Sequence, residues 1–298
     1  MRNNNLVGTG VALITPFNED LSIDFDSLGN LINHLIKNNI DYFVVMGTTG
    51  ESATLSLAEQ DEVLNYVKKI VNKRVPLVLG VGGNNTQQVL NRINSIDFSH
   101  IEAILSVCPY YNKPSQQGLF HHYAAIAEKS PVDIILYNVP SRTSLNISPE
   151  TVSSLAHKYP NIIGIKEASG DISQCMELVS KSPDDFMIIS GDDKMTFPIM
   201  SLGGVGVISV QAMAFPSIFS DMVNSILNKD IYAAKQHHYN LLKSVDLFYI
   251  EGNPPGIKEA LYFLNICNSN QVRLPLVRMS RNNAKTLSVL IQATINNK

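Results

Sequence analysis

Residues 162–170 of the chain read IIGIKEASG, a short apolar run that ends in a lysine. Ile162, Ile163 and Ile165 are β-branched, as is typical of a strand buried on both faces. Lys166 stands where this strand should end, and Glu167 follows it directly. A lysine in that position is either half of a structural ion pair or a functional amine, and the rest of the sequence helps to decide between them.

Seven further apolar runs of the same kind lie along the chain. They cover residues 8–15, 42–47, 76–82, 102–109, 133–139, 186–192 and 204–210. Amphipathic segments such as 25–39, 56–71 and 148–159 separate them. Eight strand–helix units in succession predict an α/β fold, a (β/α)8 TIM barrel. The alternative is an open doubly wound sheet, but GTGVAL after residue 7 is not a GxGxxG turn, and GVGGNN (80–85) has the wrong spacing.

The chain after the eighth strand is helical in pattern, with amphipathic segments at 230–250, 254–266 and 275–296. We therefore predict two domains, a catalytic barrel over residues 1–228 and a C-terminal helical domain over residues 229–298. The segment NPPGIK (253–258) is interpreted as the entry to a helix and not as a site.

Composition narrows the classes of function. The 298 residues carry a net charge of −3, which gives no attraction for nucleic acid or acidic membranes. The N-terminus has no signal-peptide pattern and no apolar run is long enough to span a membrane, so a cytoplasmic location is expected. The three cysteines (Cys108, Cys175 and Cys267) are widely spaced, and we expect them to be small buried hydrophobic residues.

Polar side chains follow several of the predicted strands, at the end where (β/α)8 enzymes have their active sites. They are Thr48, Thr49 and Glu51 in GTTGE, Tyr110 and Tyr111 in CPYYNKP, Tyr137, Asn138 and Arg142 in LYNVPSRT, Lys166, and the SGDD segment at 190–193. Desolvation lowers the pKa of a lysine, and a neutral amine at Lys166 can form a Schiff base with a carbonyl compound. The surrounding hydroxyl groups favour this interpretation over an ion pair with Glu167.

The other polar residues suggest a proton relay and two carboxylate sites. Tyr137 can move protons to and from a substrate oxygen, and Thr48 and Tyr111 are candidates to extend a hydroxyl relay. Thr49 suits a carboxylate, and Arg142 offers a planar fork for a second one. The alternatives are aromatic packing for Tyr137, a purely geometric turn for GTTGE, and a solvated surface position for Arg142.

Metal chemistry has little support in the sequence. The pairs His121–His122 and His237–His238 are adjacent on predicted helices, so their side chains point about 100° apart. The H-E-x-x-H pattern does not occur either. We expect lysine chemistry that uses neither a metal nor a cofactor.

Six motifs, in order along the chain, resemble the dihydrodipicolinate synthase family. They are GTTGESATL (47–55), CPYYNKP (108–114), YNVPSRT (137–143), GIKEASGD (164–171), SGDD (190–193) and GVISV (206–210). The resemblance extends into the C-terminal helices. It implies a (β/α)8 lyase that condenses pyruvate with L-aspartate 4-semialdehyde in lysine and diaminopimelate biosynthesis.

The resemblance also assigns roles to individual residues. Lys166 would form the Schiff base with pyruvate, Tyr137 would exchange protons, and Thr48 and Tyr111 would complete the relay. Tyr111 would come from a neighbouring subunit of a homotetramer, a dimer of dimers. The positions that would bind substrate are Thr49, Arg142, Ile208, Gly191 and Asn138.

Members of the family that lysine inhibits carry polar side chains in an allosteric cleft. The matching positions here are Ala53, Leu57, Gln60, Asn84, Gln88 and Tyr110. Leu57, Gln60 and Gln88 depart from the inhibited pattern, and Gln88 lacks the acid that would pair with a lysine ammonium. We therefore expect weak inhibition by lysine or none.

Two other functions stay open. N-acetylneuraminate lyase and other 2-keto acid aldolases resemble this chain in the barrel and the lysine, although VPSRT and GTTGE favour the condensing enzyme. A barrel that only binds a keto acid is the non-enzymatic alternative, since fold alone does not fix function. A sensor of that kind would not need a proton relay.

Overall fold

The computed structural model describes residues 4–296, and its eight strands close into a barrel in chain order. The strands are β1 (Gly8–Ala12), β2 (Tyr42–Val45), β3 (Leu77–Gly80), β4 (Ala103–Val107), β5 (Asp133–Asn138), β6 (Ile162–Glu167), β7 (Met187–Ser190) and β8 (Gly206–Ser209). β1 pairs with β2, and β3 to β8 pair in succession, all of them parallel. The predicted (β/α)8 class is therefore confirmed.

The strands are buried along almost their whole length, as their continuous apolar runs predicted. Gly164 is the small residue within β6. A Cβ atom there would lie 2.7 Å from the carbonyl oxygen of Met187 on β7. Glycine thus allows β6 and β7 to approach closely, two residues before Lys166.

Twelve helices are assigned within residues 4–296. They are α1 (Phe25–Lys37), α2 (Leu57–Val71), α3 (Thr86–Ser95), α4 (Gln116–Lys129), α5 (Pro140–Thr143), α6 (Pro149–Lys158), α7 (Ile172–Lys181), α8 (Thr196–Ser201), α9 (Pro216–Leu227), α10 (Ile231–Tyr249), α11 (Pro255–Phe263) and α12 (Arg281–Asn296). Ser56 begins α2 with a reciprocal capping box to Glu59. Ser148 caps α6 ahead of Pro149, so the start of this helix also follows its sequence signals.

The third C-terminal helix was predicted at 275–296, but α12 begins only at Arg281. Pro275 lacks an N–H, and the Leu276 N–H closes a turn on the carbonyl of Arg273. The Ser280 N–H bonds the carboxylate of Glu251 at 2.7 Å. These contacts hold residues 275–280 outside the helix.

The chain divides into two compact units. One contains the N-terminal residues through Val7 and Pro76–Ile208, and it carries β3 to β7 and most of β8. The other contains Gly8–Val75 and Ser209–Lys298, and it carries β1, β2 and the helices from α9 onward. The boundary between residues 228 and 229 remains a prediction.

The three cysteines are buried and free of disulfides. Burial raises the pKa of the thiols of Cys108, Cys175 and Cys267 to about 12. They are therefore protonated at neutral pH, which agrees with the prediction that they serve as small hydrophobic residues. Among residues 4–296, no helix combines the length and the apolar character needed to cross a bilayer.

Candidate active site

Tyr137 and Lys166 lie next to each other on neighbouring strands. The register of β5 and β6 pairs Tyr137 with Lys166, and it pairs Asn138 with Glu167. Successive side chains of a strand point to opposite faces. Tyr137 and Lys166 therefore share one face of the sheet, and Asn138 and Glu167 share the other.

The amine of Lys166 is buried beside an aromatic ring. Its residue is 6% exposed, and Nζ lies 4.4 Å from the centroid of the Tyr137 ring. Tyr137 is itself 7% exposed. Within residues 4–296, no carboxylate lies within 4.0 Å of Nζ. The ion pair with Glu167, which the sequence left open as an alternative, is not formed.

The carboxylate of Glu167 accepts hydrogen bonds from groups other than Lys166. Its carboxylate accepts hydrogen bonds from Asn138 Nδ2 at 3.0 and 3.1 Å and from Gln174 Nε2 at 2.9 Å. The Ser169 N–H donates to it at 2.6 Å. These donors compensate the cost of burying a charged group. The acid next to Lys166 is thus satisfied on the opposite face of the strand.

Asn138 belongs to this hydrogen-bond network. Its side chain is fully buried, Nδ2 also donates to Asn146 Oδ1 at 2.7 Å, and Oδ1 accepts from the Ile147 N–H at 3.3 Å. Both polar atoms are engaged by the protein. We therefore propose that Asn138 fixes the end of β5, and its predicted contact with substrate stays a prediction.

Gly191 leaves room for the lysine side chain. It follows β7, and its N–H donates to the carbonyl of Glu167 at 2.7 Å. A Cβ atom at Gly191 would lie 3.0 Å from both Cγ and Cε of Lys166 and 2.8 Å from Cβ of Ala168. Ile208 is buried on β8. Substrate contacts at Gly191 and Ile208 stay predictions.

Tyr111 and Arg142 lie in exposed segments that follow β4 and β5. Tyr111 is 92% exposed, and its φ of 70° is in the left-handed region that large residues rarely adopt. In the described part of the chain its side chain has no hydrogen-bond or ring partner. Arg142 lies in α5 with its side chain exposed, and no described acid pairs with it. Within residues 4–296, no hydrogen bond joins the Tyr111 phenol to Lys166 or Tyr137.

The GTTGE motif lies in the other unit. A short 3₁₀ turn begins at Thr48, which is exposed, whereas Thr49 is buried. Asn253 Nδ2 donates to Thr49 Oγ1 at 2.9 Å. Glu51 is buried, with Lys258 Nζ 2.5 Å from its Oε1. The motif is therefore held by side chains from the C-terminal part of the sequence.

Sequence reasoning missed Asn253 and Lys258. Both lie in NPPGIK, which was interpreted as a helix entry without a role in a site. A signal was present, because Lys258 stands beside Ile257 and Leu261 on a helix face that the structure buries. Lysine is almost never fully buried unless its ammonium group is paired. A lysine at this position therefore predicts a partner for its side chain.

The six positions of the predicted allosteric cleft are divided between the units. Ala53, Leu57 and Gln60 lie in one, and Asn84, Gln88 and Tyr110 lie in the other. Leu57 is exposed at the start of α2. Gln60 Nε2 donates to the carbonyls of Ser52 and Leu55, at 3.0 and 3.3 Å. Its amide is thus engaged by its own chain, and the expected weak response to lysine stays a prediction.

The profile of the Dihydrodipicolinate synthetase family matches residues 5–294. The chain belongs to this family. It is 47% identical over 283 residues to a 4-hydroxy-tetrahydrodipicolinate synthase of Flavobacterium psychrophilum, covering 95% of this chain and 96% of that protein. The enzyme of the same name from Cytophaga hutchinsonii is 49% identical over 273 residues, or 92% of this chain and 91% of that protein.

A solved structure agrees with the sequence relatives. The crystal structure of a dihydrodipicolinate synthase matches with a TM-score of 0.92 and 41% identity, over 96% of this chain and 98% of that one. The family that the six motifs indicated is confirmed.

Replacing Glu167 by glutamine should lower the free energy of unfolding by about 2 kcal/mol, because an amide cannot accept from every donor that faces the carboxylate. Chemical denaturation measures the change. Glu177→Gln on α7 is the matched control, since that carboxylate is half exposed and pairs with Lys181 at the surface. We expect the control to change stability by less than about 0.5 kcal/mol. Equal stability of both variants would refute a stabilising role for the network.

Proposed function

We propose that the chain condenses pyruvate with L-aspartate 4-semialdehyde to give 4-hydroxy-tetrahydrodipicolinate, a lyase reaction of lysine and diaminopimelate biosynthesis. The observation that carries the proposal is the buried Lys166 amine, which has no acid partner within residues 4–296 and lies beside Tyr137 in a member of this family. We further propose that the enzyme works in the cytoplasm.

The chemistry follows from the amine. Lys166 Nζ attacks the ketone carbon of pyruvate, and loss of water leaves an imine. The imine withdraws electrons, so the methyl carbon loses a proton and becomes a nucleophilic enamine. That carbon then forms a bond to the aldehyde carbon of the second substrate. Attack of the substrate's own amino group on the imine closes the ring and releases Lys166.

Each of these steps moves a proton, and we assign its transfer to Tyr137. Its ring packs against the Lys166 amine, so its hydroxyl group lies on the same strand face. We assign the extension of this relay to Thr48 and to Tyr111 of a neighbouring subunit. The exposed phenol of Tyr111, which has no partner within the described residues of its own chain, supports this assignment.

Two carboxylates must be recognised. Asn253 donates to Thr49 Oγ1, which leaves the hydroxyl proton of Thr49 for the carboxylate of pyruvate. Ile208 and Gly191 would line the same substrate. The exposed guanidinium of Arg142 suits the carboxylate of the semialdehyde, since it has no acid in the described chain to compete.

The proposed homotetramer, a dimer of dimers, needs two different contact surfaces. The loop with Tyr110 and Tyr111 supplies one exposed apolar surface. Met176 and Val179 on α7 and Leu202 after α8 are also exposed, and a side chain at Gly203 would touch Val179. These two groups of residues support an assembly with two kinds of interface.

The nature of the second substrate separates the proposed function from its alternatives. With pyruvate present, the protein should consume L-aspartate 4-semialdehyde and leave N-acetylmannosamine unchanged in a parallel reaction. Chromatography of both mixtures over time measures this. Turnover of the sugar alone would identify a lyase of the sialic acid type. Binding of pyruvate without turnover of either compound would identify a keto-acid-binding barrel.

Gly191→Ala should reduce kcat by about 100-fold, because the new methyl group displaces the Lys166 side chain and misplaces its amine. Steady-state rates at saturating substrate measure the loss. Gly83→Ala is the control, since a Cβ there meets only Val89 Cγ2, at an ordinary 3.5 Å. Wild-type kcat in Gly191→Ala would contradict the packing of Gly191 against the reactive lysine.

A further inference from the structure

A buried ion pair joins the GTTGE motif to α11. The side chains of Glu51 and Lys258 are each 1% exposed, and Nζ lies 2.5 Å from Oε1. Oε1 receives no well-aligned hydrogen bond, whereas Nζ donates to the carbonyl of Gln271 at 2.8 Å. Glu51 and Lys258 thus form a close and fully buried ion pair.

Lys258 keeps its charge at neutral pH although its side chain is buried. Nζ lies 4.0 Å from the centroid of the Phe17 ring, which is an apolar neighbour that also attracts a cation. Burial lowers the pKa of Lys258 to about 8, and the charge of Glu51 opposes that shift. The ammonium therefore keeps its proton below about pH 8.

The backbone of Glu51 is in an unfavourable conformation that surrounding contacts must stabilise. Its φ is 52°, in the left-handed region, which is uncommon for a residue other than glycine. Its Oε2 accepts from the Arg273 N–H at 2.9 Å. Its own N–H donates to the carbonyl of Thr48 at 3.1 Å. A displaced Glu51 side chain would therefore also move the backbone that carries Thr48.

Stability alone gives a weak reason for such a pair. Desolvation of two buried ions offsets most of their mutual attraction, and neutral replacements of both are often as stable. What an ion pair does provide is a fixed separation between two segments that are distant in sequence. Here it fixes a turn that follows directly after two threonines of the proposed pyruvate site.

We propose that the Glu51–Lys258 pair is a positioning device for pyruvate binding, which holds the turn at Glu51 so that Thr48 and Thr49 keep their orientation. This inference rests on the proposed function. Asn253, from the same NPPGIK segment, adds the second contact by bonding Thr49. Glu51, Asn253 and Lys258 are thus positioning residues and not catalytic ones.

The double variant Glu51→Gln/Lys258→Met tests this directly, because it removes both charges and leaves no unpaired ion in the interior. We expect an apparent Tm close to that of the wild type. We expect faster hydrogen exchange in the peptide that covers residues 47–55, because the turn loses its anchor. The KM for pyruvate should rise by about tenfold, with a smaller change in kcat.

Leu261→Ala is the matched control on the same helix. Leu261 is fully buried, so its truncation creates a cavity and lowers Tm, while both charged side chains of the ion pair are retained. The control should leave the exchange of residues 47–55 and the KM for pyruvate as in the wild type. The double variant should change exchange and KM at nearly constant Tm, whereas Leu261→Ala should lower Tm and leave exchange and KM unchanged. A general loss of stability cannot produce both results.

Three outcomes would overturn the proposal in different ways. Faster exchange with an unchanged KM would show that the pair anchors the turn but does not position it for pyruvate. Unchanged exchange in the double variant would show that the pair is not an anchor. A wild-type protein without turnover would refute the proposed function and the link to pyruvate, while the exchange data would still decide whether the pair holds the turn.

Discussion

The alternation of side chains at the ends of β5 and β6 is the constraint on which the site depends. It directs Tyr137 and Lys166 to one face and Asn138 and Glu167 to the other. Amide and backbone N–H groups donate hydrogen bonds to Glu167 on its own face of the strand. Glu167 is the acid next to Lys166 in sequence, but it does not form a salt bridge with that lysine. A buried amine and a hydrogen-bonded acid can thus be adjacent in the chain without forming a salt bridge.

Four of the charged side chains buried in this protein are accommodated in three different ways. Glu167 is surrounded by hydrogen-bond donors, Glu51 and Lys258 neutralise each other, and Lys166 contacts an aromatic ring without an acid. Charges that are paired or fully bonded are expensive to disturb and therefore fix structure. Lys166 is the member of this group whose environment leaves it available for covalent chemistry.

The sequence predicted the barrel well, because strands buried on both faces leave continuous apolar runs that are easy to locate. It misplaced the start of α12, where contacts of Ser280 and Leu276 override the helical pattern. Motifs predicted a site at Lys166 and Tyr137, which the structure places side by side, but they did not predict the partners of Asn138 or Thr49. Asn253 and Thr49 are 204 residues apart, and no local pattern encodes a contact over that separation.

The most direct test of the account is to find which residue pyruvate modifies. The protein is treated with pyruvate and borohydride, digested, and its peptides are mapped by mass spectrometry. The account predicts a reduced three-carbon adduct on Lys166, and no such adduct in Lys166→Ala. An unmodified wild-type protein, or an adduct confined to another lysine, would contradict it.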